Sequence, residues 1–406
     1  MVEFFNENPD WWLYALIPVI SAVVGWGTNV LALKMTFYPL EFIGIPPYLG
    51  WQGIIPSKAA KMASKSVDIL TKKLITVEER FEQIDPNVAA EQMQPEVERL
   101  SKRIVNEVME AQAPLVWIGL PGPVKTSIYQ KSKENLPMIL REMMAEIKEK
   151  ISSLFDLKGM VIRTLVKNRR LLNEIFIRCG EQEFRFIERS GFYFGFLFGL
   201  IQMVTWYFYK PWWFLPVAGL FVGFATNWVA LKLIFKPLHP INLGIFKIQG
   251  LFIKRQKEVA QAYSELVATN IINSRNIFET IMHGKASPEL IQIIRKYVSK
   301  SIDLTVGGSK DLIKLLSGRN TYDNAKNIAS SGVIEDMRIT AKQIYGYTEE
   351  ALNLEETMKV RMSNLPPEDF QGFLRPVFQE DETKLILVGA FLGFLAGLAQ
   401  LFILFN

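Results

Sequence analysis

Thr28-Asn29 and Thr226-Asn227 set a hydroxyl beside a carboxamide at the end of two long apolar runs, 198 residues apart. Lys34 and Lys232 follow the two pairs at the same interval, and Lys58 and Arg255 stand farther along. Amides and hydroxyls inside a span, with cations at its end, are the materials of a site for a lipid headgroup or an ion. The same groups also glue helices together, because a polar side chain in lipid needs a partner. Lysines beside a span also act as positive-inside anchors. From the residues alone both uses stay open.

Catalytic chemistry finds little material. His239 and His283 are the two histidines, far apart in sequence, and no Cys/His run has metal-ligand spacing. There is no glycine-rich phosphate loop, and Gly25-x-Gly27 lacks the third glycine and the preceding strand of a dinucleotide site. Gln379-Glu380-Asp381-Glu382 and Glu181-Gln182-Glu183 are acidic clusters before apolar runs. A helix N-terminus favours negative charge, which accounts for them without chemistry. The expectation is a protein that is not an enzyme and holds no metal or cofactor.

The elements that position these residues form an internal repeat. Gly27 to Lys34 returns as Ala225 to Lys232, and Gly195 to Gln202 returns as Gly393 to Gln400, both at 198 residues. Each copy reads apolar segment, long polar insert, apolar segment. Trp11 to Leu33, Phe192 to Tyr209, Trp212 to Phe235 and Leu385 to Phe405 are each long enough to cross the roughly 30 Å hydrocarbon core as a helix. Gly191, Gly195 and Gly199 recur every four residues, as do Gly389, Gly393 and Gly397, so each set lines one helix face. Close contact with the first and third spans is the direct reading.

Its 49% hydrophobic residues and positive mean hydropathy are high for a soluble protein but low for a transporter that is mostly lipid-embedded, and the clustering of the apolar residues decides the class. No motif directs its basic charge toward nucleic acid. The single cysteine, Cys179, permits no internal disulfide and fits a reducing compartment. Glu3, Glu7 and Asp10 precede the first span without Lys or Arg, unlike a secretory leader. Basic residues instead flank the inserts, which are therefore expected in the cytoplasm with both chain ends outside. The two copies then share one orientation, as parallel repeats.

The expected fold is an all-α integral membrane protein with four spans and large helical cytoplasmic domains. Its divisions are a first span (1–36), an interfacial loop (37–57), a helical insert (58–187), a two-span hairpin (188–236), a second interfacial loop (237–253), a second insert (254–383) and a last span (384–406). Val97, Leu100, Ile104 and Val108 form an amphipathic stripe, and so do Ile294, Val298 and Ile302. The stretch from Val306 to Ser331 reads as polar loop. Ala113 to Pro123 reads as an apolar loop between breakers, which either dips into a bilayer, binds a partner or packs beneath its own domain.

Residues Thr28 to Pro39, Gly53 to Lys58 and Gly389 to Gln400 resemble the signature of the YheB-like membrane proteins, the domain-of-unknown-function family 445. The second copy departs at Leu233 and at Phe252-Ile253-Lys254. The resemblance implies a bacterial inner membrane and no established activity. It also implies that this chain is two single-insert units fused, and that ordinary members dimerise. The leading functional expectation is a non-enzymatic inner-membrane protein whose inserts bind a protein partner or lipid in cell-envelope upkeep. The alternative is a transporter or lipid-handling protein with a polar site at the repeat axis, where a homodimer would double the four spans.

Overall fold

The computed structural model describes residues 11–45, 49–243, 246–307, 319–379 and 382–404. The acidic tail, the Pro46-Pro47-Tyr48 tip, Gly308 to Lys310 and Glu380-Asp381 lie outside the described residues. In chain order the elements that matter here begin with α1 (Trp11–Phe37), β1 (Ile43–Ile45), β2 (Leu49–Trp51), α2 (Pro86–Gln112), α3 (Pro114–Gly119) and α4 (Gly122–Glu149). There follow α5 (Glu181–Phe208), α6 (Phe214–Phe235), β3 (Ile241–Leu243), β4 (Phe246–Ile248), α7 (Ser287–Val306), α8 (Arg319–Ala341) and α9 (Glu382–Leu404). They fall into two compact units. Met1–Lys73, Ile162–Val267 and Met358–Asn406 make the first; Leu74–Val161 and Ala268–Thr357 make the second.

The first unit holds four helices long and apolar enough to span a membrane: α1, α5, α6 and α9. Helices gain little from hydrophobic association inside lipid, so small residues that let backbones approach decide which of them pair. A Cβ built on Gly25 would lie 2.3 Å from the Gly191 carbonyl oxygen, and one on Gly195 would lie 2.4 Å from that of Ser21. Thus α1 packs on α5. In the other pair a Cβ on Gly219 would lie 2.3 Å from the Gly393 oxygen, and one on Gly397 would lie 2.3 Å from that of Leu215. Thus α6 packs on α9. The outer surfaces carry Leu197, Ile201, Phe221, Phe391 and Ile403, all exposed, as a lipid-facing surface requires.

After α1 and α6 the chain enters cis peptides at Pro39 and Pro237, then antiparallel hairpins β1–β2 and β3–β4. Gly53 N–H donates to the Pro39 carbonyl and Gly250 N–H to that of Pro237, each at 2.9 Å, which closes both loops. The short helices that begin and end each insert also belong to this unit, where Phe252 and Phe370 stack with ring centroids 4.6 Å apart.

The second unit is a ring of four long helices in the order α2, α4, α7, α8, with α8 returning to α2. Two come from each insert, so the divisions 58–187 and 254–383 do not describe separate domains. The physical reason is that each helix pair has an apolar face and buries it against the other pair: Leu100 and Ile104 pack with Ala329, Val298, Ile302 and Val333. Part of the stretch to Ser331 also departs from its reading as loop, because Arg319–Ala341 is helix. Its inward face reads Thr321, Ala325, Ala329, Val333 and Met337 at four-residue steps. Small residues there mute the amphipathic signal.

Ion pairs brace the outside of the ring. Lys296 meets Glu146 at 2.6 Å and Lys326 meets Asp303 at 2.7 Å, while Lys300 pairs with Glu142. The hydrogen bond from Lys296 holds the Glu146 carboxyl down at about 2, from an ordinary value near 4.5. A depressed folded-state pKa stabilises above the unfolded value and is lost as pH falls through the folded one. Thermal melts should therefore lose stability between about pH 4.5 and 2, and Glu146→Gln should make that loss shallower. An unchanged acid slope in the variant would remove Glu146 from the account.

Candidate functional site

The residues singled out by sequence have separate local tasks. Asn29 Nδ2 donates to the Ile187 carbonyl at 2.6 Å, and Asn227 Nδ2 donates to that of Leu385 at 3.0 Å, 198 residues on. Each amide crosses to the partner helix of its own pair. Thr28 and Thr226 donate back to the Gly25 and Gly223 carbonyls at 3.1 and 3.4 Å. Between the two pairs Gln202 meets Gln400, beside an apolar contact of Ile17 and Trp206 with Leu215. Gln202 Nε2 reaches Gln400 Oε1 at 3.5 Å, while Ser21 donates to Gln202 Oε1 at 3.1 Å. Both glutamines closed the repeated Gly-rich motif, but nothing in their spacing distinguished them from its other positions.

The cations are dispersed. Lys34 and Lys232 are exposed, and Lys232 Nζ lies 4.4 Å from the Trp228 ring centre. Lys58 is half-buried where two short helices meet. Arg255 Nη1 donates to both Glu183 oxygens, at 2.9 and 2.7 Å, and its Nε donates to Glu258 at 2.8 Å. That guanidinium is committed to carboxylates. Beside it, burial and the Glu183 charge push the Cys179 thiol up to about 12, so it stays a protonated core group. His239 and His283 sit in exposed pairs with Glu368 and Glu279.

A different site lies inside the second unit. The ring of α2, α4, α7 and α8 encloses a cavity of about 520 Å³. Its walls include Leu100 and Ile104 from α2, Leu136 and Ile139 from α4, Ile302 from α7 and Ala329 from α8. The polar side chains along it are mostly turned to one another or to their own helices. Ser101 and Ser132 hydroxyls share a hydrogen bond of 2.7 Å, Tyr322 donates to Asp303 at 2.5 Å, and Thr305 donates to the Ser301 carbonyl at 2.8 Å. Burial and the bond to Asp303 raise the Tyr322 phenol above its usual range, so it remains a donor. The cavity therefore offers dispersion contacts and few free hydrogen-bonding groups. It falls within the range of small-molecule sites, roughly 300–1,000 Å³.

No family model matches the chain, and no solved structure matches it. Its curated relatives include a UPF0754 membrane protein of Staphylococcus epidermidis, 28% identical over 90 residues, which are 21% of this chain and 24% of the relative. A UPF0754 membrane protein of Microcystis aeruginosa is 26% identical over 174 residues, 42% of this chain and 36% of the relative. One of Synechococcus is 23% identical over 168 residues, 40% and 41% of the two chains. The chain thus spans between 24% and 41% of the length of these relatives. They are membrane proteins by name, in keeping with the four apolar helices.

Proposed function

We propose that this protein is a membrane-anchored receptor for a single hydrocarbon chain, held by the insert bundle and drawn from membrane lipid. The cavity carries the reading. Its lining on α2 runs from Met93 to Gln112, about 28 Å of helix at 1.5 Å per residue. A long void with apolar walls suits an extended alkyl chain. At ~0.8 kcal/mol per buried methylene, a chain of about 16 carbons gains on the order of 12 kcal/mol before ordering costs are subtracted.

The protein in this reading is non-enzymatic, and its four spans form two parallel repeats in a bacterial inner membrane. Both inserts face the cytoplasm and the chain ends face outward. Cell-envelope upkeep is the setting that a lipid receptor there would serve. The pairing of Arg255 with Glu183 and Glu258 argues against a phosphate site at that residue, which moves the lipid contact from the span ends to the bundle.

The test is native mass spectrometry of the full chain released from its own membrane, with lipid identification. One chain-bearing molecule per protein should survive release. It should be absent from Ala329→Trp and from Val333→Phe, which fill the cavity, while circular dichroism shows unchanged helicity. The same lipid retained by both folded variants would place it elsewhere and defeat the reading.

A further inference from the structure

We infer that α3 is a lip that enters a lipid bilayer and admits the hydrocarbon chain to the cavity, an inference that rests on the receptor reading above. Among the described residues of the second unit, three large apolar side chains are more than half exposed. They are Leu115 (85%), Val116 (59%) and Ile118 (76%), all on α3. Such a cluster in water marks a surface that meets something apolar. Val116 and Ala113 also line the cavity. A side chain that is both cavity wall and exposed surface marks where the cavity meets the outside.

The helix is held in that posture. Pro114 opens it and Pro121 follows it, fixing the backbone at both ends. Trp117 turns inward and is buried, with its ring edge-to-face on Tyr129 at 6.1 Å between centroids. Lys125 Nζ caps that indole 4.9 Å from its centre. One buried tryptophan thus pegs a short helix whose Leu115 and Ile118 point away from the core.

Charge selects a bilayer over a protein groove. From Ala113 to Lys133 the chain carries Lys125, Lys131 and Lys133 and no Asp or Glu; Lys133 is paired with Glu98 at 3.0 Å, which leaves Lys125 and Lys131 to meet headgroups. Aliphatic tips backed by lysines and an aromatic pair match the interface of an anionic bilayer, where basic residues meet headgroups and apolar ones pass below them. The same chain carries four spans, so a bilayer is always at hand.

The test uses the full chain in nanodiscs of phosphatidylcholine with a minority of phosphatidylglycerol. An environment-sensitive dye is attached through Ile118→Cys, and Cys179 is buried and stays unlabelled. Its emission should shift to the blue and be quenched by doxyl groups on the lipid chains. The same dye attached through Ser153→Cys, exposed near the opposite end of α4, should do neither. In Leu115→Ser/Ile118→Ser, transfer of a fluorescent fatty acid from vesicles should slow by on the order of tenfold or more, from the lost burial of two aliphatic side chains. Loading from detergent should reach the wild-type level, showing that the cavity is intact. A dye at position 118 that stays in water, or an unchanged vesicle rate, overturns the lip. Failure of the detergent-loaded wild type to hold any chain would instead defeat the receptor reading, and the quenching experiment remains readable without it.

Discussion

Arg255→Ala is expected to destabilise the folded protein by about 3–5 kcal/mol, as removal of one partner from a buried ion pair does. Glu183 is only 3% exposed, and both its oxygens accept from Arg255 Nη1. Truncating the arginine strands that carboxylate in a place it cannot hydrate. The paired change Glu183→Gln/Arg255→Met should recover most of the loss, since it removes the charge along with its partner. Unfolding in a detergent titration, followed by tryptophan fluorescence, measures both. If Arg255→Ala kept full stability but lost bound lipid, the residue would be a headgroup ligand, and the ion pair would be incidental.

Gly191→Leu should part the first two spans, with a loss of more than about 3 kcal/mol from overpacking and the broken interhelical bond together. A Cβ there would lie 2.4 Å from the Gly25 carbonyl oxygen and 2.6 Å from Asn29 Nδ2. Backbone cannot yield as a flexible side-chain tip can, so the helices must separate and the Asn29–Ile187 bond must break. Gly389→Leu should act alike in the other pair, where Asn227 Nδ2 is the obstacle. Gly27→Leu is the control, because nothing lies within 4 Å of its Cβ position. Equal stability of the Gly27 and Gly191 variants in the same titration would sink the close-contact account.

The membrane half was legible because lipid restricts what a span can be made of. Apolar length and four-residue glycine spacing state both that α5 crosses and which of its faces meets a neighbour. Thr28, Asn29, Thr226 and Asn227 were visible as polar intrusions, but intrusions look alike whether they bind a ligand or a backbone carbonyl. Arg255 illustrates the harder case. Its partner Glu183 is 72 residues away, and no local pattern connects them. An amphipathic stripe shows that a face is buried without showing against what, so the joining of the two inserts into one ring was hidden. The cavity was hidden further, since it arises where Ala325 and Ala329 fall short of filling space. Small residues at four-residue steps along α8 were its one trace, within a stretch polar enough to resemble loop.

The shared ring also sets a schedule for the nascent chain. When α4 leaves the ribosome, its partners α7 and α8 have not been made. About 190 residues separate the end of α4 from the end of α8, which is about 10–40 s of synthesis at 5–20 residues per second. Two spans must enter the membrane in that interval, with the apolar faces of α2 and α4 still uncovered. Chaperones and proteases thus meet the first helix pair as an unfinished half, and slow translation of the second insert prolongs that exposure.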